Sequence, residues 1–318
     1  GWLEEKRGSD DKLDEIRRRF FAQKEACFLC VLICIAAVAI TVCGMVSDDV
    51  SINALVSAVV FVVMLASFSL VLAPPIAAFN AWSLIQTSVS LSTADAAFYF
   101  QTDTEEMYPE GPHFSPLFFN TVLGTLSSVV SLIGIATYHR YFSHWRYRNL
   151  LLIVNIGMAF LNALDIIFYS RLNVAWGIPD RAFVLGSSAI GMVVDQWQWM
   201  PQVIILSYFC PPGMEATMYA LLAGCHNLGN VIASNCGAYL LLCFGVNPSG
   251  LPGESAEFAS LWKASLVSTV LPLIPIVLLF KLVPDVKQGD KVLDPDCDAT
   301  TGSLWNQWTN PSTYGSAQ

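Results

Sequence analysis

The stretch NLLLIVNIGMAFLNALDIIFYSRLNVAWGIPDRAF, residues 149–183, opens with a run of predominantly apolar residues and closes on Asp165, Arg171, Asp180 and Arg181. A helix crossing the hydrocarbon core of a bilayer needs about 20 apolar residues, and residues 149–170 supply one such run. Hydrocarbon solvates neither a carboxylate nor a guanidinium. The charges at the end of the run therefore call for a partner, a cavity or an exit to water.

The rest of the chain repeats the pattern. Its 318 residues are 54% hydrophobic and only 13% charged, with a mean hydropathy of +0.54. A soluble domain carries about 25% charged residues. The apolar residues fall into blocks at 27–45, 52–73, 77–100, 116–138, 149–170, 183–208, 214–243 and 261–283. In lipid each span must satisfy its own backbone hydrogen bonds, so the blocks predict helices. The fold class is an all-α polytopic membrane protein with about eight spans. It divides into a charged segment 1–26, two spans within 27–73, six spans within 77–283 and a polar tail 284–318.

The net charge of −9 conceals an alternation of sign along the loops. The segment before the first span holds seven of the sixteen Lys and Arg, loop 138–148 holds three, and the tail from Lys281 holds three more. Loops 46–51, 101–114 and 247–258 hold none and carry acids. Eight alternating spans put the basic segments on one side and these acidic loops on the other. The positive-inside rule then makes that side, with both ends of the chain, cytoplasmic.

Eight of the nine cysteines lie in or beside apolar spans, where Cys behaves as a small hydrophobe. Cys27 and Cys30 have a metal-ligand spacing, but no second pair or nearby His completes a site, so no metal is expected. There is no Gly-rich phosphate loop, no HExxH and no GxSxG, so no enzyme, cofactor or nucleic-acid partner is expected. The chain begins with Gly1 inside a charged segment, which leads us to expect a missing N-terminal part.

Polar side chains inside the spans are the functional candidates. Asn155, Asn162, Asp165 and Tyr169 recur at steps of seven, three and four, one face of a helix. Asp195 lies twelve residues into its span, about 18 Å deep at a rise of about 1.5 Å per residue. Asp95, at the outer end of the third span, is within reach of water. In the seventh span, Ala216, Ala220 and Gly224 form one ladder of small residues, and Gly229, Ala233 and Gly237 another. Such ladders let helices pack closely. His226, Asn227, Asn230 and Asn235 accompany them, as interhelical glue or as a solute path. Glu215 follows Pro211, Pro212 and Gly213 and suits either a helix cap or a functional role. Because buried ion pairs stabilise poorly compared with apolar packing, intramembrane carboxylates near Arg171 suggest a polar solute pathway with a proton relay rather than an inert scaffold.

The run from Asp165 through Arg171, Asn173, Gly177, Ile178 and Pro179 to Asp180 resembles the signature of the folate-biopterin transporter family, a branch of the major facilitator superfamily. Trp199-Met200-Pro201, Cys210-Pro211 and the run from Gly213 to Gly224 match it as well, as do Ser92, Asp95, Ala96 and Phe98–Phe100, and Tyr108-Pro109-Glu110. The likeness covers about Trp2 to Trp308 and is closest to protozoan members.

The resemblance implies twelve spans, cytoplasmic ends, a plasma-membrane location, and import of folates and unconjugated pterins by proton symport. The eight spans here would be the last two of a first half and all six of the second, so a missing N-terminal transmembrane segment is an implied partner. On this reading Asp165 relays protons. A carboxylate or an amide meets the pterin edge, and Asn162, Asn173, Asp195, Asn227 and Asn230 belong to the expected pathway. The ring stacks on an aromatic such as Trp197, Trp199 or Phe98, and Arg171 neutralises folate carboxylates. Asp95, Asp180, Glu215 and His226 complete the expected pathway. A carrier of another solute such as S-adenosylmethionine, or a non-transporting truncated or helper protein, stays open as an alternative.

Overall fold

The computed structural model describes residues 24–210, 215–290 and 299–309. Every regular element among them is helical. Helices α1 (Lys24–Val46) and α2 (Val50–Val71) form an antiparallel pair, with Asp49 capping α2 by accepting from the Ser51 amide at 2.8 Å. Pro74 and Pro75 open α3 (Pro74–Val89), where the missing amide hydrogens cost no helical bond. Then come α4 (Ala94–Thr102) and a continuous rod of π-helical turn, α5 (Gly124–Thr137) and a second π-helical turn. Helix α6 (Tyr147–Tyr169), short α7 (Leu172–Ala175), α8 (Asp180–Tyr208) and α9 (Glu215–Cys243) follow. The chain continues through α10 (Leu261–Val270) and α11 (Ile276–Leu282), joined by a turn that carries Pro272, to α12 (Leu304–Thr309).

Among the described residues, five helical rods are long and apolar enough to cross a bilayer: Lys24–Val46, Val50–Val71, Leu117–Phe142, Tyr147–Tyr169 and Ser255–Leu282. Their apolar side chains point outward. Phe28, Val31, Ile35 and Val38 on α1, and Val129, Leu132 and Ile133 on α5, are each more than half exposed. Water would penalise that surface and hydrocarbon would not. The three remaining expected spans depart from the simple pattern. The block 77–100 is two helices with a break at 90–93, and α8 and α9 are long but carry most of the polar side chains discussed below.

The second small-residue ladder explains the break. A Cβ on Gly237 would sit 2.0 Å from the Ser92 carbonyl oxygen, and one on Gly229 would sit 2.9 Å from the Thr87 Cβ. The freed Ser92 amide donates to the Ala233 carbonyl on α9 at 3.2 Å, so an interrupted helix keeps its backbone paired. The first ladder faces α1, with Gly224 set against Ile33. Asn235 donates to Ser57 of α2 at 2.8 Å, the interhelical glue that its position suggested.

The ends of the bundle differ in charge. At one end the Gly253 and Glu254 amides donate to the Glu106 and Met107 carbonyls, and Ser255 donates to Glu110. Burial opposes ionisation of Glu254, but the Ser249 and Gly250 amides outweigh it and hold its carboxyl below the usual range. Burial, then the neighbouring Glu254, pushes Asp103 up to about 6. At the opposite end Arg146 pairs with Asp285 at 3.0 Å and Arg148 donates to the Val283 carbonyl at 2.6 Å. The Ala73 amide donates to the Ala299 carbonyl at 2.7 Å. Acidic loops thus share one end, while the basic loop and the segment after α11 share the other.

Gly237→Ala should destabilise the protein by about 1–3 kcal/mol, because the added methyl meets backbone rather than a movable side chain. Gly44→Ala, with nothing within 4 Å of the new Cβ, should leave stability unchanged or slightly raised. Unfolding of the two variants in a denaturing-detergent titration compares them. Equal midpoints would remove the close approach at Ser92.

Candidate functional site

Helical periodicity gathers polar side chains on the inner faces of several helices. On α8, Asp195, Gln198, Trp199 and Gln202 lie at steps of three, one and three, and on α6, Asn155, Met158, Ala159 and Asn162 repeat the same spacing. These faces meet Gln86 and Thr87 of α3, His226 and Asn230 of α9, Thr269 of α10 and Pro272. Together they enclose a cavity of about 240 Å³.

Much of the wall is fixed by hydrogen bonds. The Thr87 hydroxyl donates to the Ser83 carbonyl at 2.8 Å, so the His226 Nδ1, 3.2 Å from Thr87 Oγ1, is the donor in that contact. The neutral ring then keeps Nε2 as its acceptor. Trp199 packs on the imidazole with ring centroids 5.2 Å apart. Gln202 accepts from Ser83 and donates to the Gln198 carbonyl, and Gln86 donates to the Pro272 carbonyl while its Oε1 is buried without a partner. Asp195 has neither ion pair nor hydrogen bond among the described residues. The wall therefore offers amide donors and acceptors, two aromatic rings and one carboxylate, and it has no Lys or Arg. Among the described residues no His, Cys, Asp and Glu cluster could hold a metal.

The other candidates lie elsewhere. Asp165 is three residues beyond Asn162 but off the cavity wall. Arg171 pairs with Asp180 rather than Asp165, through two N–H···O bonds of 2.9 Å each. Asn173, fully buried, donates to the same carboxylate at 2.7 Å and to the Ile178 carbonyl at 3.3 Å. Arg171 and Gly177 take left-handed backbone, with φ of 60° and 77°. The signature run is thus the clasp that turns α6 into α8. On its outer side Arg171 borders a hollow shared with Tyr108, Glu110, Tyr169 and Trp262. Asp95 is exposed in the first turn of α4, and Asn227 is exposed on α9. Helix α9 begins at Glu215, whose side chain, with Pro211–Met214, lies outside the described residues.

Of the expected site residues the cavity unites Asn162, Asp195, Trp199, His226 and Asn230. It adds Gln86, Thr87, Gln198, Gln202 and Thr269. Gln198 and Gln202 carried a readable signal, since they share a helical face with Asp195. Gln86 and Thr87 carried none, because only the fold brings α3 to α9.

A model of the BT1 family matches residues 11–298. The chain belongs to that family. It is 31% identical over 230 residues to the "Folate-biopterin transporter" of Synechocystis sp., covering 68% of this chain and 44% of that protein. It is 28% identical over 215 residues to "Probable folate-biopterin transporter 6" of Arabidopsis thaliana, covering 68% of this chain and 40% of the relative. "Folate transporter 2" of Plasmodium falciparum is 25% identical over 182 residues, 57% of this chain and 38% of that protein. The matched stretch thus spans less than half the length of these relatives, all of which are named as transporters rather than enzymes. No solved structure matches. With the outward apolar helices, the family identifies a multi-pass membrane protein.

Arg171→Ala should leave the Asp180 carboxylate without its cation in a largely enclosed corner, with only the Asn173 amide still donating to it. Removing one member of a buried pair costs about 3–5 kcal/mol, and the partial exposure of this pair, 24% and 16%, puts the expected loss at the low end. Arg171→Lys should recover only part of it, since an ammonium lacks the two-pronged geometry. Thermal melting in detergent measures both, and an unchanged midpoint in Arg171→Ala would remove the clasp.

Proposed function

We propose that this chain forms the C-terminal part of a secondary carrier that moves a folate or an unconjugated pterin across a membrane with protons. One observation carries the reading: a cavity walled by polar side chains from five helices lies inside a bundle whose outer surface is apolar. All eight expected spans cross the bilayer in this proposal. The three that fail a simple length-and-apolarity criterion are the ones that supply most of the cavity wall. The arrangement is major facilitator-like, with the solute site near mid-membrane.

The wall chemistry suits a pterin. Its 2-amino, N3–H and 4-oxo edge presents adjacent donors and an acceptor, which carboxylate and amide groups can meet two at a time. A flat bicycle can stack on Trp199. Drug-sized ligands occupy about 300–1,000 Å³, so a cavity of about 240 Å³ suits the ring system better than a whole folate. In the proposal a folate tail lies toward the outer end, where Arg171 borders a second hollow. Asp165, between the cavity and that end, passes protons.

Topology is the first test. We propose that loop 101–114 faces outward at the plasma membrane, and loop 138–148 and both ends face the cytoplasm. A single reactive Cys at Glu106 should label with an impermeant reagent on intact cells, and one at His144 should not. The reverse pattern would invert the map.

Transport is the second. The chain alone should insert without transporting, because alternating access needs two halves rocking about one site, and charged groups facing lipid cost at least about 2.5 kcal/mol on insertion scales. Cells expressing the chain with the N-terminal segment of a relative should take up labelled biopterin and folate. Asp165→Asn in that combination should abolish proton-driven uptake. Uptake by the chain alone at the rate of a full-length relative would overturn the two-part reading, and an unchanged pH profile in Asp165→Asn would remove the relay.

A further inference from the structure

Among the described residues, two titratable groups line the cavity, Asp195 of α8 and His226 of α9. The facing surfaces of α3, α6 and α10 contribute Gln86, Thr87, Asn155, Asn162 and Thr269, none of which titrates in the range that matters. Asp165 is off the wall, and no Lys or Arg reaches it. Asp195 has no ion pair or hydrogen bond among the described residues. Asp195 thus faces the cavity, part-buried, with no cation beside it. His226 is set up differently. Its Nδ1–H is spent on Thr87, which leaves Nε2 as an acceptor with no partner among the described residues.

We propose that Asp195 holds a proton in the empty cavity and that solute binding moves it to His226, so that one cavity carries solute and proton together. The Asp195 O–H bond breaks and an Nε2–H bond forms, directly or through water in the cavity. The new carboxylate accepts two adjacent N–H donors from a neutral heterocycle. The resulting imidazolium keeps its Nδ1–H on Thr87 and balances the carboxylate, so the loaded cavity gains one positive charge only relative to its deprotonated state. The solute class follows: a planar neutral heterocycle with side-by-side N–H donors, of which a 2-amino-4-oxopteridine is one. A solute whose recognised edge is anionic would meet the same carboxylate and be rejected. The inference rests on reading this cavity as the solute site, and it names the groups that couple solute to proton there.

The test counts protons. Biopterin binding to the chain assembled with the N-terminal segment of a relative, in lipid nanodiscs, is followed by calorimetry in two buffers of different ionisation heat, between pH 5.5 and 7.5. The wild type should exchange close to no protons with the buffer, because the proton stays in the cavity. His226→Gln removes the internal acceptor. It should bind more weakly, release about one proton per solute, and lose affinity about tenfold per pH unit on acidification, as one-proton linkage requires. Asp195→Asn, a neutral isostere that should fold, is expected to bind at least tenfold more weakly with no proton exchange at any pH. Release of about one proton by the wild type would show that the proton leaves the cavity and would overturn the transfer. No release in His226→Gln would show that Asp195 never gives one up and would overturn it equally. In both cases the carrier reading would stand. Failure of that folded wild-type assembly to bind biopterin at any pH would remove the pterin reading and this inference with it.

Discussion

A polar group surrounded by hydrocarbon must find its partner within the protein, and this requirement shapes the bundle at three places. Where α3 breaks at 90–93, the freed Ser92 amide finds the Ala233 carbonyl on the neighbouring helix. Where α6 turns into α8, the Asp180 carboxylate finds Arg171 and Asn173. Along the inner faces of α3, α6, α8 and α9, many side chains find one another, but Asp195 and the Gln86 Oε1 do not. An unmet polar atom inside an apolar bundle is costly unless something else meets it. The cavity is the place where the protein leaves that requirement open.

Glycine spacing on α9 decides which polar groups can meet. A Cβ on Gly229 would crowd the Thr87 Cβ at 2.9 Å, so the absence of a side chain lets α3 approach until Thr87 reaches His226 at 3.2 Å. About two turns further on, Gly237 admits the Ser92 backbone. The same ladder therefore closes the helix break and orients the imidazole. Asn235, on another face of the helix, fastens α9 to Ser57 of α2 and takes no part in the cavity. Four polar residues within ten positions of α9 thus divide by helical face: two to the cavity, one to glue, and Asn227 to the exposed surface.

Spans were legible where composition alone decides. The predicted 27–45, 52–73 and 149–170 became Lys24–Val46, Val50–Val71 and Tyr147–Tyr169. The block 77–100 read as one span because its break contains no proline or glycine; the cause lies on α9, in Gly237. In the candidate site, Asp195, Trp199 and His226 stood out because charge and rings are rare at such depth. Gln86 and Thr87 did not, since a lone amide or hydroxyl within a span reads as ordinary packing until the partner helix is known. Asp165 lies off the cavity wall. Its spacing from Asn155 and Asn162 fits one helical face broadly, but the cavity takes only the part of that face where α8 and α10 stand opposite.

The signature that makes the chain recognisable is thus separate from the chemistry it suggests. Arg171, Asn173, Gly177 and Asp180 build a corner with two left-handed residues and a two-pronged ion pair, and few other side chains could form it. Such a motif is tied to the fold, and none of its residues lines the cavity. The wall is built from amides, hydroxyls, one carboxylate, one indole and one imidazole on helical faces. Family membership therefore speaks most directly to the path of the helices. What the cavity holds depends on the few side chains at 86, 195, 198, 202, 226 and 230, and above all on the carboxylate that the fold leaves without a partner.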